Sequence, residues 1–107
     1  MTFGKIIHIR EHDLLSGLIR IHVLYHACQE PIFGLGMIEE LQRHGYKLSA
    51  GTLYPMLHGL ENRGLLRSKK IRLGRRARRM YRATAGGRKT LARAKEKVKI
   101  LLGELSE

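Results

Sequence analysis

Between positions 67 and 82 the chain carries nine basic residues and no acidic one. The 107-residue whole has 21 basic and nine acidic residues, net +12, so only +3 is left for the 91 positions outside this segment. The charge is a local device. Within it Leu66, Ile71, Leu73, Met80 and Tyr81 alternate loosely with Arg67, Lys69, Lys70, Arg72, Arg79 and Arg82. That pattern predicts a β-hairpin with arms at 65–73 and 78–83 and a turn around 74–77. So basic a segment calls for a polyanionic partner, nucleic acid ahead of anionic lipid.

Directly before the hairpin the pattern turns helical. Leu53, Met56, Leu57 and Leu60 recur at helical spacing and make an inward face. Thr52, Tyr54, His58 and Asn62 give the other face uncharged hydrogen-bonding groups. Ser49 is placed to cap the first turn with its hydroxyl, and Gly64 to end the helix in a left-handed conformation. Pro55 is tolerable near the N-terminal end, with glycine at position 51 beneath its ring. A polar helix followed at once by a basic ribbon is what a winged helix-turn-helix requires.

The same residues resemble a family. Gly51-Thr52-Leu53-Tyr54-Pro55, then Leu57, Leu60, Glu61, Gly64-Leu65, Tyr81-Arg82-Ala83-Thr84 and Gly87-Arg88 follow the PadR pattern GTLYP…L..LE..GL…YRLT..GR in order and spacing. The resemblance to these bacterial transcriptional regulators covers roughly residues 14 to 105. It implies a homodimer on palindromic double-stranded DNA. It also implies a small aromatic or lipophilic effector between the DNA-binding domain and the dimer helices, without locating it; Leu18, Tyr25 and Phe33 are the candidate contacts. Two departures stand out. Ala85-Gly86 replaces the usual acidic pair, which weakens the start of the last helix, and the segment Gly74-Arg75-Arg76-Ala77-Arg78 lacks the proline common there.

The remainder of the chain supports one domain of mainly α structure with a small β-hairpin, an α+β fold. No apolar run reaches the roughly 20 residues of a membrane span, and no secretory leader pattern opens the sequence. A single cysteine, Cys28, cannot form an internal disulfide, which fits a reducing cytoplasm. Residues 1–12 are compatible with a helix, a strand or an arm reaching a partner subunit. Asp13 is the expected N-cap of a first helix running to about Cys28, with Leu14, Leu15, Leu18, Ile21, Leu24 and Tyr25 buried. A second helix opens at Gly34, turns Leu35, Ile38 and Leu41 inward, and closes at Gly45. Thr84 is the expected cap of a last helix to about Leu105. Its apolar positions Leu91, Ala94, Val98, Leu101 and Leu105 step by 3, 4, 3 and 4, the spacing of a coiled-coil seam. The expected division is a DNA-binding domain at 1–84 and a dimerisation helix at 85–107.

The expected DNA contacts follow from these placements. Ser49, Thr52, Tyr54 and His58 would approach phosphates and base edges in the major groove. Lys69, Lys70, Arg72 and Arg79 would lie on phosphates, and Arg75, Arg76 and Arg78 would enter a minor groove. Histidines invite a metal reading, since His8/His12 and His22/His26 are spaced by four, with Cys28 nearby. No second cysteine or carboxylate cluster completes a set, so the histidines read as packing or solvated groups, and neither metal nor cofactor is assigned. Met37, Met56 and Met80 read as core filler. No enzyme motif appears: Glu39 and Glu40 are adjacent and diverge on a helix, and neither Ser16 nor Cys28 has an arranged base. The expected function is a repressor. The rivals are a non-specific architectural DNA-binding protein, betrayed by affinity that ignores sequence, and a module docking its last helix on another protein.

Overall fold

Ile19, Val23, Leu24 and Ala27 are fully buried and define the inner side of the first helix, α1 (Glu11–Gln29), in a computed structural model that describes residues 11–107. Of the stripe that spacing alone selects, Leu24 is buried as expected, whereas Leu15 and Ile21 are only half-buried. Leu14 is 71% exposed, Leu18 and Tyr25 are exposed, and Asp13 lies within the helix, not at its cap. α1 is apolar on two sides, and periodicity cannot rank two apolar faces. The core took the side of Ile19, Val23 and Ala27, together with Leu24. The question left open at the N-terminus falls, for residues 1–10, outside the described residues.

After Pro31 the chain forms a two-residue strand, β1 (Ile32–Phe33), that the sequence pattern did not suggest, because two residues cannot display an alternation. α2 (Gly34–Arg43) follows and buries Met37 and Leu41. Leu35, expected inside, is half-exposed, and Met37 takes its place. Gly34 is buried against the Tyr54 ring, where a Cβ would clash with the phenol. α3 (Ala50–Asn62) runs uninterrupted through Pro55 and buries Leu53, Met56, Leu57 and Leu60 as expected.

Both helices of the helix-turn-helix end alike. Gly45 (φ 89°) donates to Gln42 and Tyr46 to Leu41, while Gly64 (φ 78°) donates to Glu61 and Leu65 to Leu60. Each pair of bonds satisfies carbonyls the helix would leave free, and each needs glycine at the left-handed position.

β2 (Leu66–Leu73) and β3 (Arg76–Ala83) form the hairpin, with β3 central in an antiparallel sheet of order β1-β3-β2. The turn is tighter than expected: Leu73 pairs with Arg76, so Gly74 (φ 66°) and Arg75 alone make it. Arg76, Ala77 and Arg78 belong to the strand. Leu66, Tyr81 and Ala83 face the core with Ile32.

α4 (Ala85–Leu105) starts on Thr84, whose hydroxyl accepts from the Gly87 amide at 2.9 Å. That cap forms without the acidic pair whose absence suggested a weak start. The Thr84 hydroxyl also donates to the Gly64 carbonyl, and the Thr84 amide donates to the Leu65 carbonyl at 3.1 Å. Gly87 lies so close over the Leu65 carbonyl that a Cβ would overlap it. Among the described residues no helix is long and apolar enough to cross a membrane.

Gly87→Ala should therefore destabilise the domain. Overlap with a backbone oxygen cannot be relieved by a side-chain rotation, and the expected cost is about 1–3 kcal/mol. Urea unfolding followed by circular dichroism measures it, and an unchanged midpoint would contradict the close approach.

Candidate nucleic-acid interface

α3 and the hairpin are joined by one carboxylate. Glu61, at the last turn of α3, accepts from the Ser68 amide at 3.0 Å and from the Ser68 hydroxyl at 2.8 and 3.0 Å. Arg79, across the hairpin, donates to the same hydroxyl at 3.1 Å. The ribbon is thereby held against the helix by a bidentate, charge-assisted contact. Beneath it, burial and then the Glu61 carboxylate raise the pKa of the Tyr81 phenol.

Register divides the basic residues between two faces. Ser68 pairs with Tyr81 on the side that meets α3, and alternation carries Lys70, Arg72 and Arg79 along that side. Arg67, Lys69, Arg76, Arg78 and Arg82 project from the other, and Arg75 occupies the turn. The residues expected to act together on phosphates, Lys69, Lys70, Arg72 and Arg79, are thus split, with Lys69 opposite the rest. Arg67 stands directly across from Arg82, and Lys70 from Arg79. Like charges directly opposite on a sheet destabilise it. The hairpin therefore carries a repulsion that an anion would relieve.

On α3, Ser49 and His58 are exposed and Thr52 is half-exposed. Ser49 has the extended backbone of an N-cap, but its hydroxyl lies 3.4 Å from the Thr52 hydroxyl and caps no amide, contrary to expectation. Tyr54 is half-buried against Gly34 and the core and lines a small cavity with Ala77, Arg78 and Arg79, so much of its ring is a packing element. What sequence reasoning missed is the role of Glu61. Its place in the motif was visible, its partner Ser68 was not.

α1 and α4 enclose a groove of about 870 Å³ lined by Leu18, Ile21, Tyr25, Leu91 and Val98, with His22, His26 and His44 and the α4 residues Lys95 and Lys99 also in its wall. Leu18 and Tyr25 meet here. Phe33, named with them from the sequence, lies on β1 beside separate cavities. Burial, then the neighbouring His44 and His26, lower the pKa of His22. Burial works to raise the Glu40 carboxyl, but Arg43, His26 and His44 together hold it below its ordinary value. Cys28 is half-buried and outside this group, and His8 lies outside the described residues.

A helix-turn-helix whose second helix is locked to a basic two-stranded wing defines the winged helix-turn-helix class. Within that class the chain belongs to the transcriptional regulator PadR-like family, whose pattern matches residues 23–93. It is 45% identical over 87 residues to the transcriptional regulator Rv3488 of Mycobacterium tuberculosis, covering 81% of each chain. A crystal structure of a PadR family transcriptional regulator from Eggerthella lenta superposes with a TM-score of 0.77 at 33% identity, covering 89% of this chain and 87% of the other. A PadR-like regulator from Bacillus cereus shares the fold, with a TM-score of 0.79 at 23% identity and 87% and 92% covered.

Replacing Glu61 by alanine should cost about 1–3 kcal/mol, because the Ser68 amide loses a charged acceptor in a half-buried place. Hydrogen exchange at Ser68 should accelerate in step with the loss of stability. Native-like protection there would contradict the clamp.

Proposed function

We propose that this chain is a homodimeric, sequence-specific DNA-binding transcription regulator, a repressor released by a small effector. The observation that carries the reading is the lock between α3 and the wing. It gives a helix of exposed neutral polar groups and a strip of unopposed cations a fixed relative position. Neutral hydrogen-bonding groups suit base edges, and cations suit phosphates. Ser49, Thr52 and His58 would read the major groove, with Tyr54 contributing its exposed edge. Lys70, Arg72 and Arg79 would lie on the phosphates flanking α3, and Lys69 on those beyond. Arg75, in the turn, would lead Arg76 and Arg78 toward a minor groove. The first-turn amides of α3 that Ser49 leaves without a side-chain cap are suited to a phosphate oxygen.

The second subunit is supported by α4. Its first turns pack on the domain through Gly87 and Leu91, whereas Ile100, Leu101, Leu102 and Leu105 are 49–74% exposed. An apolar end of this kind on an otherwise charged helix is suited to a copy of itself, and two-fold symmetry matches a palindromic site. In this reading residues 1–84 bind DNA and 85–107 dimerise, with Leu91, Ala94 and Val98 turned first toward α1. The α1–α4 groove lies within the 300–1,000 Å³ typical of small-molecule sites. A ligand between Leu18 and Tyr25 would shift α4, and with it the spacing of the two heads. The setting is the cytoplasm, and no catalysis is assigned.

Anisotropy with DNA from upstream of the protein's own gene, against excess random duplex, tests this reading. Specific binding should exceed random binding by roughly 10³-fold or more. Thr52→Ala with His58→Ala should lower that ratio while leaving residual affinity, and an unaltered ratio would remove α3 from base readout. Arg75→Ala with Arg76→Ala should weaken all DNA binding and flatten its salt dependence by up to about two units of slope. An unchanged slope would place the turn off the DNA.

A further inference from the structure

His22 and His26 lie one turn apart on α1, and His44 is the residue that closes α2. The fold brings the three imidazoles together, with ligand-capable nitrogens all within 4.8 Å of one another. The rings of His22 and His44 lie 5.0 Å apart between centroids, at 28°. Glu40, one turn before His44, places Oε2 3.1 Å from His44 Nε2 and 3.8 Å from His26 Nε2. Its other oxygen accepts from Arg43 at 2.7 Å.

An ordinary ion-pair cluster does not have this composition. Three imidazoles share one carboxylate, and a permanent cation already holds that carboxylate. Neutral rings at this range offer one another little, and protonated ones repel. A divalent cation removes both difficulties, since neutral imidazole is a good ligand for borderline transition metals. With metal–nitrogen bonds of about 2.0–2.1 Å, tetrahedral ligand atoms stand roughly 3.4 Å apart. Closing from 4.8 Å is within the reach of rotations of these side chains, which are half-buried or exposed.

We infer that His22, His26 and His44 form a site for a borderline divalent transition metal such as zinc, nickel or cobalt. Glu40 orients His44 through its second nitrogen, as carboxylates do for metal-bound histidines. The fourth position opens on the α1–α4 groove, whose wall these histidines help to line. The ion would cross-link the helix that contacts α4 to the end of α2, directly ahead of the turn into α3. Neither pair of helically spaced histidines in the sequence contains this set, because His44 arrives from another element.

Cobalt titration of the chelator-treated full chain tests the site. The protein should bind one Co²⁺ per chain with the visible bands of low-coordinate cobalt, and Zn²⁺ should displace them. His22→Asn with His44→Asn should abolish the bands, as should the single change His26→Gln, with circular dichroism confirming that each variant is folded. Glu40→Gln should weaken affinity by roughly 10–100-fold, and Cys28→Ser should leave it unchanged. Absent bands in the unaltered protein would overturn the inference. Bands that survive in the folded histidine variants would overturn it equally, by placing the metal elsewhere.

Discussion

The structure hangs on the backbone of Gly64 and Leu65, where four elements meet. The Leu65 amide closes the end of α3, its carbonyl takes the Thr84 amide, and the Gly64 carbonyl takes the Thr84 hydroxyl. Gly87 then lies over the Leu65 carbonyl, so the first turn of α4 rests on the point where α3 becomes β2. Backbone donors and acceptors seek partners, and here the pairing closes a loop of twenty residues. The hairpin leaves and returns at the same place. Its direction relative to α3 is therefore set at its root, and the Glu61–Ser68 contact sets it again a few residues further out.

Such bracing has a physical purpose in a hairpin so charged. Like charges across the strands favour splaying, and the outer half of the ribbon buries little to oppose it. Stability resides at the root, where Leu66, Tyr81 and Ala83 meet the core on one face while Arg67 and Arg82 stand opposite each other on the other. A ribbon stable at its base and crowded with cations along its length is well suited to an anionic surface, where phosphates would relieve the like-charge pairs.

α1 mediates between this unit and α4. One side supplies Ile19, Val23 and Ala27 to the core, and the other offers Leu18, Ile21 and Tyr25 to the groove. A helix with two apolar sides can transmit a shift from one to the other, because close-packed interfaces move as units. Both the proposed effector and the inferred metal would act on this helix. The first would wedge it from α4, and the second would tie it to α2.

Much of this was legible in the chain. Apolar spacing located all four long helices, the glycines marked both left-handed stops, and the charge run announced the hairpin. These are local properties, expressed within a few residues, and a sequence carries them directly. What it could not display are choices made between elements. Which apolar side of α1 enters the core depends on what packs there. β1 exists only because β3 offers it an edge. Glu61 finds Ser68, and His44 finds His22 and His26, only after the helix-turn-helix has closed. The residues themselves determined the elements and the charge; tertiary packing decided which faces meet, because contact across elements depends on the position of every segment at once.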